Sequence, residues 1–349
     1  FLAAVSDDLA PPLAASQHEP GPRPLPLFLE LIRDVARRDP VTARAALDGL
    51  RRYQSAARGP LRVTRPEIVR VGAASLRDCG GSGRPGILVP SLINPPDILD
   101  LDPDCSLAQA LLPEGRILLL DWGRASLRQS LDVADHVEQL LLPLIAELGE
   151  PVTLVGYCLG GTMALAAAAI NPQIRAVATL AAPWHFSAYP AASRRALADY
   201  WQSARPAAEA LGTMPIELLQ AAFWSLDPDG VVTKFARFAA LDLHFAKALR
   251  FVTLEDWANS GEALPLPAAQ ELIGRLFGED LTGGGKWLGG GVPECPTLHF
   301  TASEDRIVPA SSTAPGARID CPAGHVGMVV GQHAPNHLHG PLRAWLAAR

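Results

Sequence analysis

One stretch limits the fold more than any other: Val152-Thr-Leu-Val-Gly156-Tyr-Cys158-Leu-Gly160-Gly161-Thr162-Met, an apolar run that breaks at a glycine and resumes as an alanine-rich segment. Glycines two residues before and two after a central side chain let neighbouring backbones approach without Cβ clashes, as a tight strand-to-helix turn requires. A thiol at the start of a helix sits beside free N–H groups and the positive end of the dipole, and both favour its thiolate. Cys158 is therefore the candidate nucleophile. The competing reading is a buried small apolar side chain, the usual role of a cysteine.

The rest of the chain supplies the framework such a turn needs. Short apolar runs ending at turn residues recur at 86–90, 116–122, 152–158 and 176–182, with helical spacing at 107–112, 131–148 and 159–170 between them. Short strands alternating with helices indicate parallel βαβ units. The expected fold class is α/β, with a mostly parallel central sheet flanked by helices. Residues 67–76 are read as antiparallel opening strands, 296–302 and 317–321 as late strands, and 341–348 as a closing helix.

Between Trp184 and about Val292 the strand rhythm stops. Roughly a hundred residues of helical sequence follow, carrying Trp201, Phe223, Trp224, Phe235, Phe238, Phe245, Phe251, Trp257, Phe277 and Trp287. Aromatics at helical spacing form an insertion's own core, and together these are expected to line an apolar roof over the sheet. The prolines of residues 1–26 block helix and ladder hydrogen bonds and predict an extended arm, with two short helices between about Leu27 and Arg58 interrupted at Pro40. The expected division is 1–60, arm and helices; 61–183 with 293–349, the core; and 184–292, a helical cap insertion.

Composition removes several classes of function. With 30 Lys+Arg against 36 Asp+Glu, a net charge of −6, and no basic run, the chain is not expected to bind nucleic acid, which demands clustered cations. Five widely spaced cysteines without a C-x-x-C pair fit neither a disulfide framework nor a zinc knuckle, so a reducing, cytoplasmic setting is expected. No apolar run approaches the about 20 residues of a transmembrane helix. His333, His337 and His339 follow the last strand, but Pro335 lies among them and no acidic ligand adjoins them, so no metal is expected. Gly283-Gly-Gly-Lys286-Trp287 lacks the first glycine and the Ser/Thr of a phosphate loop and is read as a flexible connector.

A nucleophile needs a base, and this turn architecture predicts an acid and then a histidine later in the chain, each on a loop after a strand. Thr297-Leu-His-Phe-Thr-Ala-Ser leads into Glu304-Asp305-Arg306, and Ala317-Arg-Ile-Asp-Cys leads into Ala323-Gly324-His325. Asp305 is the candidate to orient the imidazole and His325 the candidate base, with Glu304 and Asp320 as competing acids. Acyl transfer also needs two N–H donors for the developing oxyanion. The candidates are the backbone of Leu159, beside the nucleophile, and of Leu92 or Ile93 in the loop Ser91-Leu92-Ile93-Asn94.

Four stretches together resemble the polyhydroxyalkanoate synthases, cysteine-dependent polymerases on an α/β-hydrolase fold. These are Val89-Pro-Ser-Leu-Ile-Asn-Pro-Pro-Asp-Ile-Leu-Asp-Leu101, Gly156-Tyr-Cys-Leu-Gly-Gly-Thr162, Glu304-Asp-Arg-Ile-Val-Pro309 and Gly324-His325-Val-Gly, and the resemblance covers about residues 65–349. It implies nucleophile, acid and base at Cys158, Asp305 and His325. The implied reaction moves a 3-hydroxyacyl group from its CoA thioester to a polyester chain, with no cofactor beyond the thioester substrate. A homodimer or a partner subunit, and association with polyester granules, are implied too. The chain departs from the family in having Arg306 where a histidine usually follows the aspartate, and Trp224-Ser-Leu-Asp227 where the family has a Trp–Asn–Asp pattern. The same residues also fit an esterase, thioesterase or polyester depolymerase with water as acceptor, or an inactive granule-binding or assembly homologue.

Overall fold

A computed structural model describes residues 21–58, 65–103, 105–242 and 246–349. Most of the proline-rich arm, and Phe245, lie outside the described residues. The centre is an eight-stranded sheet built from β1 (Glu67–Val71), β2 (Ala74–Gly80), β3 (Pro85–Val89), β4 (Arg116–Asp121), β5 (Val152–Tyr157), β6 (Ile174–Leu180), β9 (Thr297–Ala302) and β10 (Ala317–Cys321). A separate two-stranded pair joins β7 (Thr213–Met214) to β8 (Leu264–Pro265). The large sheet has the order β1-β2-β4-β3-β5-β6-β9-β10. Its first two strands are antiparallel and the rest run parallel from β4 onward.

Both faces of the central strands are covered, so β3, β4, β5 and β6 read as nearly unbroken apolar runs, the pattern of a buried parallel sheet, while the edge strands β1 and β10 are largely exposed. The period of two still sorts the side chains. Ile87, Val89, Leu118, Leu120 and Leu154 enter one core with Val137, Leu141 and Met163. Leu88, Ile117, Leu119, Val155 and Leu180 enter the opposite core with Leu107, Leu111 and Leu342. The helix Leu159–Ile170 spans the residues its sequence pattern predicts, and the closing helix occupies Gly340–Ala347. The opening strands form a hairpin longer than expected, because β2 continues to Gly80 along β4.

The chain runs from β3 outward to β4 and returns to the other side of β3 as β5. The order therefore reverses between β3 and β5. In open α/β sheets, ligands bind in the crevice at the carboxyl ends of the strands at such a reversal.

Two expectations are corrected. The insertion's aromatic residues do not form one roof. Trp224, Phe235, Phe238 and Phe251 build a separate core with Phe28, Ile32, Leu50 and Tyr53 from the N-terminal helices Leu25–Ala36 and Pro40–Ser55. Helix contact there is close enough that a Cβ on Gly49 would stand 2.0 Å from the Phe235 carbonyl oxygen. Trp201 and Trp287 instead join the main core, and Phe277 packs edge-on against Phe186 and Tyr189. Periodicity marks the apolar face of a helix but not the element that covers it. The glycine-rich segment after residue 280 is likewise anchored: Asp280 accepts from the Phe186 and Gly283 N–H groups, and Trp287 is buried and donates from Nε1 to Glu271 at 2.9 Å.

Candidate active site

β5 ends at Tyr157, and Cys158 occupies the turn into the helix Leu159–Ile170 with φ 55° and ψ −130°. A positive φ in a residue with a Cβ is a strained conformation held by its surroundings. The glycines show what holds it. A Cβ on Gly156 would lie 2.4 Å from Gly161 Cα, and one on Gly160 would lie 2.2 Å from the Val89 carbonyl oxygen and 2.5 Å from that of Pro90. The turn is thus pressed against its own helix and against the end of β3. The Cys158 N–H donates to the Leu180 carbonyl at 2.9 Å, which ties the turn to β6.

Asp305 and His325 follow β9 and β10, neighbouring parallel strands, so both loops emerge at the same end of the sheet as Cys158. His325 Nδ1 donates to Asp305 Oδ2 at 2.6 Å. The other oxygen, Oδ1, accepts the N–H groups of Ile307 (2.7 Å) and Val308 (2.9 Å), and the Asp305 side chain is wholly buried. With Nδ1 engaged by Asp305, Nε2 is the ring nitrogen left over, and Cys158 lies near enough for its charge to act on the imidazole. Burial opposes a charged imidazole here, but the charge of Cys158, the hydrogen bonds to Asp305 and Cys158 and the charge of Asp305 outweigh it and push His325 up to about 10. Of the competing acids, Glu304 is exposed, and Asp320 accepts from Thr301 and pairs with Arg318. His299 lies within β9, bonded to Thr179 Oγ1 at 2.8 Å.

The two candidate donor segments are also adjacent. Leu159 is the first residue of the helix after Cys158 and is buried. The loop holding Leu92 and Ile93 begins at Pro90, whose carbonyl Gly160 touches; Ile93 N–H turns back onto Ser91 Oγ at 3.4 Å.

Two tyrosines support the site without having been marked by the spacing of the motifs. Tyr157 is the x of G-x-C; its hydroxyl donates to the His325 carbonyl at 3.3 Å, and its ring centre lies 5.0 Å from the imidazole. Tyr189, beyond β6, is buried. Desolvation, followed by the charges of Cys158 and Asp305, pushes both phenols well above their ordinary value and keeps them protonated. The departures from the synthase pattern meet one another: Arg306 pairs with Asp227 at 2.7 Å, and Asp227 caps the helix Pro228–Ala239 by accepting from Gly230 N–H at 3.1 Å. Among the described residues, no three His, Cys, Asp or Glu side chains cluster to hold a metal, and no helix is long and apolar enough to cross a membrane.

Known proteins agree with this geometry at the level of fold and family. The chain is 27% identical over 289 residues to the poly(3-hydroxyalkanoate) polymerase subunit PhaC of Haloferax mediterranei, covering 76% of this chain and 59% of that one. It is 24% identical to the protein of that name from Haloarcula marismortui, covering 76% and 61%, and 26% identical to that from Allochromatium vinosum, covering 76% and 81%. It thus spans about three-fifths of the length of the first two of these relatives. Among solved structures, DcsB in complex with its substrate analogue superposes with a TM-score of 0.52 at 16% identity, over 81% of this chain and 99% of that one. The model of the alpha/beta hydrolase family matches residues 99–338. Sheet order, turn and match together make the chain a member of the alpha/beta hydrolase family.

Proposed function

We propose that this protein is an acyltransferase of polyhydroxyalkanoate synthase type, in which Cys158, His325 and Asp305 work as a catalytic triad. The observation that carries this reading is the His325–Asp305 hydrogen bond at the carboxyl ends of β10 and β9, beside the turn of Cys158, whose charge acts on the imidazole. Similarity to polymerase subunits over 76% of the chain supports the choice of reaction.

In the first half-reaction the Cys158 sulfur attacks the carbonyl of a 3-hydroxyacyl-CoA thioester. The oxyanion is met by the Leu159 N–H and by one from the 92–93 loop, and the tetrahedral adduct expels the CoA thiolate, which takes the His325 proton. In the second, neutral His325 removes the proton from the hydroxyl of a growing chain as that oxygen attacks the acyl-enzyme, and Cys158 leaves as thiolate paired with imidazolium. Asp305, fixed by two backbone donors, holds the imidazole with Nε2 toward the sulfur. No cofactor enters this sequence. The reading carries with it a cytoplasmic setting at polyester granules, and a second copy or a partner subunit.

Hydrolysis shares the acyl-enzyme and differs only in the acceptor; membership of a hydrolase family is what favours it. Incubation with 3-hydroxybutyryl-CoA separates the two. Insoluble polymer with free CoA is the expected result, and free hydroxy acid with CoA but no polymer would make the protein a thioesterase.

A further inference from the structure

A cavity of about 480 Å³ opens beside the site, within the range of about 300–1,000 Å³ common to small-ligand pockets. Leu92 and Ile93 line it, so it shares the loop that adjoins the Cys158 turn, and Ser260 and Glu262 of the helical insertion close its other side. Its walls also carry Arg124 and Arg128 from the segment after β4.

Arg128 is 4% exposed, an unusual state for a guanidinium with no carboxylate hydrogen-bonded to it; only the longer-range charges of Glu262 and Asp121 act on it. Its Nε donates to the Gly123 carbonyl at 3.3 Å and its Nη1 to His136 Nε2 at 3.0 Å. His136 Nδ1 is bound to the Asp132 carbonyl at 2.5 Å, which leaves Nε2 as the acceptor, and burial holds the imidazole down at about 4, so it stays neutral. Among the described residues no carboxylate is hydrogen-bonded to Arg128. Two carboxylates of the same walls have other bonds: Asp121 is paired with Arg77 and accepts from Gly123 N–H, and Glu262 accepts from Ala125 N–H; a third, Asp97, is exposed to solvent. A desolvated cation whose hydrogen bonds go only to two neutral acceptors, with carboxylates acting on it only at longer range, gains from a directly bound anion, and a guanidinium fork matches phosphate oxygens in pairs.

We propose that this cavity is a binding site for a phosphate-type anion, gripped by Arg128 and met at the rim by exposed Arg124. Resting on the acyl-transfer reading, the anion is the diphosphate of the thioester's carrier, whose acyl end reaches Cys158 past the shared 91–95 loop. Leu127, 67% exposed at the same cavity, offers apolar surface to the rest of the carrier.

Calorimetric titration of the whole chain with inorganic diphosphate, and separately with free CoA, tests the site. Binding to wild type is expected to weaken at least tenfold in Arg128→Met and severalfold in Arg124→Gln, whose exposed side chain makes it the deciding variant if Arg128→Met does not fold. The preference in kcat/KM for 3-hydroxybutyryl-CoA over the same acyl group on N-acetylcysteamine, which has no phosphate, is expected to fall about tenfold in the weakened variants; a merely structural role would lower both substrates alike. Equal binding by wild type and both variants, or none by any, overturns the anion site. Weakened diphosphate binding with an unchanged preference overturns the carrier as its source. Turnover of neither thioester, with diphosphate binding intact, sinks the acyl-transfer reading and leaves the anion site standing.

Discussion

Asp305 holds His325 through one carboxylate oxygen, at 2.6 Å from Nδ1, while its other oxygen is held by the backbone of Ile307 and Val308. The acid is thereby fixed before the imidazole, and the imidazole is oriented by it. Asp305→Asn keeps the volume but can donate to Nδ1 and favour the wrong tautomer. Steady-state kinetics on 3-hydroxybutyryl-CoA should show kcat lowered by about 10⁴-fold, the scale of the same change in a serine protease triad. A loss under tenfold would mean that Asp305 does not orient the base.

The pH dependence of stability follows from the same contacts. His325 is raised from 6.5 to about 10 in the folded chain, so between those values the folded state holds a proton that the unfolded state has released. Stability gained from His325 is complete below about 6.5 and is lost as pH rises through about 10. Urea unfolding across this window should show wild type losing stability with rising pH more steeply than His325→Gln. Parallel curves would contradict the charged pair.

Gly160 has no room for a methyl group. In Gly160→Ala the new Cβ meets the carbonyl oxygens of Val89 and Pro90, backbone atoms that cannot rotate away. The expected cost is about 1–3 kcal/mol, with activity falling further because the oxyanion loop moves. Gly274→Ala, with nothing within 4 Å of its Cβ, is the control and should be neutral or stabilising by about 0.4–1 kcal/mol. Denaturant midpoints compare the two directly.

Arg306 and Asp227 tie the loop of the acid to the helical insertion, but both side chains are well exposed, at 65% and 43%. An exposed pair contributes about 0–1 kcal/mol. Asp227 also caps a helix, a role worth about 0.5–2 kcal/mol. Asp227→Ala should therefore lower thermal stability more than Arg306→Ala, and equal losses would assign the whole effect to the ion pair.

Much of the site could be read from the chain because its requirements are local. The turn needs glycines at fixed offsets, and Gly156 and Gly160 stand there; the helix after it follows from the alanine run. The alternating runs likewise announce a parallel sheet, and parallel strands bring their following loops to one end, which is how residues 158, 305 and 325 come to the same end of the sheet across long separations. The sequence favours Asp305 as the acid but leaves Glu304 and Asp320 as competitors, because neighbouring loop residues differ only in where the backbone turns them.

What stayed hidden depends on partners distant in sequence. Trp224 and Phe235 look like any apolar helix face, and nothing local says that Phe28 and Tyr53 cover them. The glycine run after Asp280 looks loose, yet Asp280 and Trp287 fasten it through residues 186 and 271. Arg128 gave no signal either, since burial of a cation is visible only once the helix bearing His136 is folded against it.

The most direct measurement is intact-protein mass spectrometry of the enzyme mixed with 3-hydroxybutyryl-CoA and quenched in acid within one turnover, followed by peptide mapping. The predicted result is a 3-hydroxybutyryl adduct on the peptide bearing Cys158, absent in Cys158→Ala, with that variant inactive. Full turnover by Cys158→Ala, or an adduct on any other residue, would contradict the covalent role of this sulfur.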